Sequence, residues 1–217
     1  GARHGRAVHP HLWHGDALMT TFPRFYPIFD SADWLRRALP LGVRLVQVRI
    51  KDMPPPLLMG ELALCQELCR EHGATLVVND HWRAAIDLGC DFVHLGQEDL
   101  DRADVAAIRR AGMRLGVSTH DHDELDRALA LKPDYIALGP VWPTILKKMK
   151  WDQQGLERVT EWRKLVGTTP LVAIGGVTPE RALQAFAAGA DIASAVTDIT
   201  LNDDPEDRIR EWLRVTK

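Results

Sequence analysis

Short apolar runs of strand length alternate with segments of helical periodicity from about Phe22 to the end of the chain. The predicted strands are Phe25–Phe29, Leu45–Ile50, Thr75–Val78, Phe92–Leu95, Arg114–Val117, Tyr135–Leu138, Leu171–Ile174 and Ile192–Val196. The predicted helices are Ala32–Leu39, Leu57–Glu71, Arg83–Leu88, Val105–Ala111, His122–Leu131, Gly155–Val166, Pro179–Ala188 and Asp204–Val215. Because each parallel strand needs a right-handed crossover to the next, these units in series predict an α/β fold, a single (β/α)8 TIM barrel.

A doubly wound open sheet is the competing architecture. That fold has a glycine-rich turn after its first strand, and Phe29-Asp30-Ser31 does not supply one. No long linker divides the chain, so we expect one barrel domain over residues 19–217. Residues 1–18 hold several histidines without periodicity. We expect them to be a poorly ordered extension or a remnant of cloning, with a histidine metal site as the alternative.

Polar residues follow directly after the predicted strands. They are Gln47, Arg49, Lys51, Asn79, Asp80, Gln97, Glu98, Asp99, Ser118, Pro143, Thr144, Lys147, Gly175 and Gly176. The carboxyl ends of parallel barrel strands meet at one face, where barrel active sites lie. Two carboxylates, several cations and bare backbone N–H groups at one face predict a site for a magnesium-bound diphosphate.

Asp80 and Asp99 follow adjacent predicted strands. Two carboxylates brought together repel each other unless a proton or a cation lies between them. Mg²⁺ held by one or two carboxylates, with substrate phosphate and water completing the octahedron, is the usual arrangement. The alternatives are an acid–base pair, or Asp80 as the cap of a helix that starts at His81.

Arg49 and Lys51 alternate with apolar residues, so they are expected to share a face with Gln47. Polar side chains in a parallel strand are costly unless a polar group meets them in the barrel mouth. A diphosphate accounts for Arg49, Lys51 and the distant Lys147 together, because cations neutralise the charge on its departing oxygens. The alternative is an ion pair with an acid on a neighbouring strand, such as Asp80.

The Gly175-Gly176 pair ends the seventh strand, and Val196-Thr197 ends the eighth. Loops after the last two barrel strands commonly bind phosphate through backbone N–H groups. We therefore expect a phosphate site there, although a glycine pair alone is also typical of a tight turn.

Ser118 lacks a neighbouring base that would make it a nucleophile, although His120 and His122 are close in the sequence, so a hydrogen bond to a substrate ring is the better assignment. His120 is left open between substrate contact, acid–base group and loop residue. His81 and His94 are interpreted as structural.

The segment Pro140–Gln154 is long for a connection between a strand and a helix, and it mixes tryptophan with lysine. Long loops in compact domains are usually functional or disordered. We expect a lid over an anionic substrate, with a solvated basic loop as the alternative.

Composition excludes several classes of partner. The net charge of −3 argues against nucleic acid or an anionic membrane, and the apolar runs are far too short to span a membrane. Three cysteines are too few for a disulfide framework, so a reducing cytoplasm fits best. Cys65 and Cys69 lie four apart and predict a buried helix face.

Six stretches in order resemble the thiamine-phosphate synthase (thiamine-phosphate pyrophosphorylase) family. They are Val46–Lys51, Val78–Asp80, Val93–Asp99, Gly116–Ser118, Gly139–Thr144 and Ala173–Val177. The resemblance implies a transferase of thiamine biosynthesis that joins 4-amino-2-methyl-5-hydroxymethylpyrimidine diphosphate to thiazole phosphate and releases pyrophosphate. It implies Mg²⁺ as cofactor and small phosphorylated substrates as partners, and it allows a homodimer.

The resemblance also implies roles by position. Gln47 and Ser118 would hold the aminopyrimidine. Arg49, Lys51, Asn79 and Lys147 would bind the diphosphate, and Asp80 and Asp99 would bind Mg²⁺. Thr144, Gly176, Val196 and Thr197 would bind the thiazole phosphate. The family reaction is thought to be dissociative, and Arg49, Lys51, Lys147 and Ser118 are the residues expected to stabilise it.

One departure from the family pattern falls in the thiazole phosphate site. The family usually reads Pro-Thr-x-Thr-Lys, whereas this chain has Leu146 at the second threonine. One lost charge-assisted hydrogen bond is worth roughly 1.5–3 kcal/mol, which weakens substrate binding without removing the site.

Two rival functions remain. A thiazole tautomerase of the same superfamily would use an acid–base residue such as His120 and would not need the diphosphate and metal set. A non-catalytic sensor of a phosphorylated metabolite would keep the Gly176 and Thr197 phosphate site without both aspartates. Magnesium-dependent turnover separates the three.

Overall fold

The computed structural model describes residues 22–145 and 152–217. Eight parallel strands form a closed barrel in which each strand pairs with the next and the eighth pairs with the first. The strands are β1 (Phe25–Phe29), β2 (Leu45–Val48), β3 (Thr75–Asn79), β4 (Phe92–Leu95), β5 (Arg114–Thr119), β6 (Tyr135–Leu138), β7 (Leu171–Ala173) and β8 (Ile192–Ala195). The predicted TIM barrel is confirmed.

Helices surround the barrel in the expected order. Those of the described ranges are α1 (Ala32–Ala38), α2 (Pro55–Glu71), α3 (Trp82–Leu88), α4 (Gln97–Leu100), α5 (Val105–Arg110), α6 (His122–Ala130), α7 (Gly155–Val166), α8 (Pro179–Ala188), α9 (Thr197–Thr200) and α10 (Pro205–Val215), with a 3-10 turn over Leu39–Leu41. The short helices α4 and α9 were not predicted. The eighth strand ends at Ala195, so Val196 and Thr197 belong to the start of α9 rather than to the strand as predicted.

Two apolar layers stabilise the barrel. The larger lies between the strands and the surrounding helices and includes Cys65 and Cys69 on the buried face of α2, as predicted. The smaller fills the barrel interior around Tyr26, Phe92 and Tyr135. Gly116 makes room there, because a Cβ at this position would lie 2.1 Å from the Tyr135 ring.

Some predictions fall on residues outside the described ranges. These are the extension at residues 1–18 and the part of the expected lid that carries Leu146 and Lys147. Within the described ranges, no helix is both long enough and apolar enough to cross a membrane.

Candidate active site

Cationic side chains stand at the carboxyl end of β2. Val48 and Ile50 are buried, whereas Arg49 and Lys51 are exposed, so the predicted alternation is confirmed. The Arg49 N–H donates to the carbonyl of Phe29 at 2.8 Å, which extends the pairing between β1 and β2 by one residue. This bond fixes the backbone beneath the cations, and both of their charges lie close enough to His94 in the barrel interior to lower its pKa.

Asp80 lies beside Lys51 at this mouth. The Lys51 Nζ and the Asp80 Oδ2 are 4.0 Å apart, and both side chains are about one-third exposed (39% and 33%). Asp80 has a left-handed backbone (φ 65°), and its N–H donates to the carbonyl of His94 at 2.9 Å. Helix α3 begins at Trp82 with His81 at its N-cap and no side-chain cap. The alternative role of Asp80 as a cap of that helix is therefore wrong.

Asp99 lies in the first turn of α4, directly after β4. Its Oδ2 accepts a hydrogen bond from the Gly96 N–H at 3.0 Å, and its side chain is 16% exposed. The Oδ1 lies 3.9 Å from Arg102, a long and weak contact. Oδ2 of Asp99 therefore holds the start of α4.

Asp80 and Asp99 are the two carboxylates of the predicted metal site. No group of three or more His, Cys, Asp or Glu side chains within residues 22–145 and 152–217 is arranged to hold a metal ion. Mg²⁺ binds through one or two carboxylates and takes its other ligands from water and substrate phosphate. Asp80 and Asp99, on the loops after two adjacent strands, match this donor set.

A continuous line of hydrogen bonds crosses the barrel interior below the mouth. It joins, in order, Asn79, Gln47, Tyr26, Tyr135, His94 and Ser118, which lie on six different strands, and we call it the interior row. The Asn79 amide donates to Gln47 at 3.0 Å, and Gln47 donates to the Tyr26 hydroxyl at 2.9 Å. The two tyrosine hydroxyl oxygens are 2.8 Å apart.

The second half of the interior row ends on Ser118. His94 Nδ1 lies 2.6 Å from the Tyr135 hydroxyl, and His94 Nε2 lies 2.8 Å from Ser118 Oγ. The structure thus brings beside Ser118 an imidazole that the sequence did not place there. His94 lies on the next strand, where only the three-dimensional register brings it to Ser118.

His94 is nevertheless a poor base. Burial lowers the pKa of His94 to about 4, although Asp99 acts in the opposite direction. In the tautomer with its proton on Nε2, the neutral ring donates to Ser118 and cannot take its proton; in the other tautomer so low a pKa makes the ring a weak base. The assignment of Ser118 as a hydrogen-bonding group rather than a nucleophile is consistent with this geometry.

His120 follows β5 and is bound to Glu124 of α6. Its Nδ1 lies 2.6 Å from Glu124 Oε1, and its N–H donates to the same oxygen at 2.9 Å. The carbonyl of His120 accepts from the Gln154 side chain at 2.8 Å. These contacts hold the loop after β5 to the residues that precede α7.

The glycine pair after β7 lies directly against the loop after β6. The Trp142 N–H donates to the Gly175 carbonyl at 3.0 Å, and an added Cβ on Gly175 would lie 2.5 Å from the Cα of Pro140. Gly176 has φ 65°, and a Cβ there would lie 2.5 Å from the Pro143 carbonyl oxygen. Both glycines are required for this close approach, so they do more than form a turn.

Arg181 of α8 and the residues after β8 complete this side of the mouth. Arg181 donates to the Gly176 carbonyl at 2.7 Å, a contact that the sequence analysis did not identify. Gly176, Val196 and Thr197 are all partly exposed, as is Thr144 in the loop after β6. The residues of the described ranges that were predicted to bind the thiazole phosphate thus lie on the loops after β6, β7 and β8.

This arrangement is that of a (β/α)8 barrel with a charged mouth at the carboxyl ends of its strands, where barrel enzymes place their chemistry. A family model described as thiamine monophosphate synthase matches residues 25–199. The chain belongs to this family, and the prediction of an enzyme of thiamine biosynthesis is confirmed.

Individual relatives agree with this assignment. The chain is 62% identical to a thiamine-phosphate synthase of Rhizobium etli over 192 residues, covering 88% of this chain and 94% of the relative. It is 45% identical to a thiamine-phosphate synthase of Neisseria meningitidis over 183 residues, covering 84% and 89%. The solved thiamine phosphate pyrophosphorylase of Pyrococcus furiosus superposes with a TM-score of 0.79 at 26% identity, covering 89% of this chain and 95% of that one.

Proposed function

We propose that this chain joins 4-amino-2-methyl-5-hydroxymethylpyrimidine diphosphate to thiazole phosphate, forming thiamine phosphate and pyrophosphate. Membership of the thiamine monophosphate synthase family supports the reaction. The structural observation that carries the proposal is that two cations, Arg49 and Lys51, and two carboxylates, Asp80 and Asp99, follow the adjacent strands β2, β3 and β4 at one barrel mouth, with Lys51 4.0 Å from Asp80.

The diphosphate is placed at this charged side. Arg49, Lys51, Asn79 and Lys147 bind its oxygens. Asp80 and Asp99 would hold Mg²⁺, which when bound would supply positive charge to the diphosphate. The bond between the pyrimidine methylene carbon and the diphosphate oxygen breaks, and its electron pair leaves with pyrophosphate. The lone pair of the thiazole nitrogen then forms the new bond to that carbon. Preorganised cations are suited to stabilise charge that develops on a departing group.

The pyrimidine lies over the interior row. Gln47 uses one amide proton on Tyr26, so its second amide proton remains for the ring. Ser118 lies at the other end of the row and is partly exposed. The two residues thus approach the ring from β2 and β5, on different sides of the mouth.

The thiazole phosphate is placed on the opposite side. Thr144, the Gly176 backbone, Val196 and Thr197 bind its oxygens. Leu146 offers no hydroxyl there, so we expect the KM for thiazole phosphate to fall on Leu146→Thr, by about tenfold if one charge-assisted bond is restored.

Pyrophosphate release tests the proposal. The purified chain is given both substrates, each alone, and both with EDTA. Release that requires both substrates and Mg²⁺ is expected, and Lys147→Ala should lower kcat by about 100-fold or more, the usual effect of removing a group that stabilises developing charge. No release from folded protein that still binds thiazole phosphate would contradict the proposal and favour the sensor.

A further inference from the structure

The interior row has one end at Asn79 and the other at Ser118, both at the barrel mouth. Its two tyrosines and Gln47 are at most 2% exposed, and His94 is 7% exposed. Buried polar groups need protein partners because water cannot reach them. Within the described ranges, no buried side-chain nitrogen or oxygen lacks a hydrogen-bond partner. The hydroxyl protons of Tyr26 and Tyr135, which are enclosed on both sides, must therefore have acceptors inside the row.

This requirement, together with the orientation of the Asn79 and Gln47 amides, fixes the direction of each bond. Gln47 accepts from Asn79 at its oxygen, so its nitrogen faces Tyr26 and donates to that hydroxyl. Tyr26 has one proton, and the hydroxyl of Tyr135 is the acceptor within reach. Tyr135 must then donate its own proton to the next group in the row, which is His94.

The same count fixes the tautomer of His94. The Tyr135 proton points to Nδ1, so Nδ1 carries no proton, and the neutral ring carries its single proton on Nε2. An imidazolium would donate to Tyr135 instead and would leave one of the two buried tyrosine protons without an acceptor. Nε2–H therefore donates to Ser118 Oγ.

We propose that His94 and Tyr135 are positioning residues that hold Ser118 as a hydrogen-bond donor toward the substrate. Ser118 Oγ already accepts from His94, so its proton is directed to the mouth. A donor at this place recognises a ring nitrogen with a lone pair and does not pair with an amino group. The inference rests on the proposed function, because it assigns the polarity of the aminopyrimidine site.

The opposite polarity makes a distinct prediction. If the amides of Gln47 and Asn79 were both turned over, every bond in the row would reverse. His94 would carry its proton on Nδ1, and Ser118 would donate to His94 and offer the substrate only an acceptor. The tautomer of His94 distinguishes the two directions.

The first test is ¹⁵N NMR of the full chain labelled at histidine, with His94→Gln identifying the signal. The Nε2–H tautomer is expected in the substrate-free protein at neutral pH. The Nδ1–H tautomer would overturn the inference. This result is independent of turnover, so it can be read even if the proposed reaction fails, which the pyrophosphate assay reports separately.

The second test is kinetic. Tyr135→Phe removes the hydroxyl that donates to His94 Nδ1, so the ring can then carry its proton on either nitrogen and Ser118 is no longer held as a donor. The KM for the pyrimidine diphosphate should therefore rise about tenfold, as for one lost hydrogen bond. The KM for thiazole phosphate should not change. Tyr26→Phe leaves the Tyr135 proton in place and should have a smaller effect.

Thr119→Val is the matched control. Thr119 is a fully buried residue of β5 whose hydroxyl donates to Ala137 and accepts from Trp162, outside the interior row. Its loss should lower stability and leave both KM values unchanged. Equal effects of Tyr135→Phe on the two substrates, or equal effects of Tyr135→Phe and Thr119→Val on the pyrimidine diphosphate, would overturn the inference.

Discussion

The carboxylate of Asp198 accepts two hydrogen bonds from the guanidinium of Arg208, each 2.9 Å long. The Trp212 indole donates to the same carboxylate at 2.8 Å. Asp198 belongs to α9, which begins at Thr197, whereas Arg208 and Trp212 belong to α10. The pair therefore anchors the segment after β8 that is proposed to bind thiazole phosphate.

Arg208→Met should selectively weaken the binding of thiazole phosphate. The change leaves Asp198, only 13% exposed, without its charged partner. We expect a loss of about 2–3 kcal/mol in the free energy of unfolding, less than for a fully buried pair because both side chains keep some contact with solvent. Displacement of α9 should raise the KM for thiazole phosphate more than that for the pyrimidine diphosphate.

The exposed Arg210 offers a control on the same helix. Arg210→Met should leave stability and both KM values nearly unchanged. Steady-state kinetics and urea unfolding measure both variants. A similar rise in both KM values on Arg208→Met would mean that the pair supports the whole fold rather than this loop.

Gly176→Ala should also weaken the binding of thiazole phosphate, by displacing the loop after β6. The new Cβ would lie 2.5 Å from the Pro143 carbonyl oxygen and 2.9 Å from the Trp142 Cβ, so the loop that carries Thr144 must move. Gly73→Ala is the matched control, because Gly73 has φ 63°, close to the 65° of Gly176, and no atom within 4 Å of the added Cβ.

Each of the two alanine substitutions should lower the free energy of unfolding by about 1–2 kcal/mol, because an L-residue is strained in a left-handed backbone. Only Gly176→Ala should raise the KM for thiazole phosphate, because Gly73 lies between α2 and β3, at the opposite end of the barrel. Unfolding in urea and initial rates with each substrate varied separate the two effects. A comparable change in KM for Gly73→Ala would contradict the loop argument.

The fold was predictable because each strand is a compact apolar run with a helix behind it. Strand bounds agree for β1, β4 and β6 and differ elsewhere by one or two residues. The helices α4 and α9 were missed because four residues are too few to show a helical period. Strand order also placed the charged residues at one mouth, so most of the candidate site followed from the fold.

Contacts between side chains of different strands were not predictable. The residues His94 and Ser118 are 24 positions apart, and their contact depends on the register of β4 against β5. Tyr26 and Tyr135 are separated by 109 positions and meet across the closed barrel. A single sequence predicts which side chains of a strand face the barrel interior, but not the level along the barrel axis at which side chains of different strands meet. The interior row was therefore found only in the structure.

Removal of one negative charge at Asp80 should abolish most activity. Asp80→Asn keeps a residue that tolerates the left-handed backbone of this position, so stability should change little. Activity at fixed Mg²⁺ should fall by about 100-fold or more, as expected when a charge-stabilising group is lost. Initial rates measured over a range of Mg²⁺ concentrations check this.

Two substitutions at Asp99 distinguish a role in metal binding from a role in holding the start of α4. Asp99→Asn keeps an oxygen for the Gly96 N–H and should lose activity without losing stability, whereas Asp99→Ala should also lose about 1 kcal/mol, the usual value of such a cap. The control is Asp101→Asn, which removes a charge nearby that pairs with Arg127. Normal Mg²⁺ dependence in Asp80→Asn and Asp99→Asn would exclude these aspartates as ligands.

His94 should make the stability of the protein depend on pH. Burial lowers its pKa from 6.5 to about 4 in the folded chain. Below pH 6.5 His94 binds a proton in the unfolded chain but not in the folded chain. The free energy of unfolding therefore falls as the pH drops from about 6.5 to about 4. The full difference is about 3 kcal/mol, at 1.36 kcal/mol for each pKa unit.

His94→Gln removes this contribution, so its stability should fall less steeply over the same pH range. The slope is the decisive quantity, because the variant also loses hydrogen bonds and will be less stable at every pH. Urea unfolding at several pH values between 7 and 4, with EDTA present to exclude bound metal, measures both slopes. Equal slopes would mean that His94 is protonated as readily in the folded chain as in the unfolded one, which is incompatible with a buried ring that accepts a hydrogen bond from Tyr135.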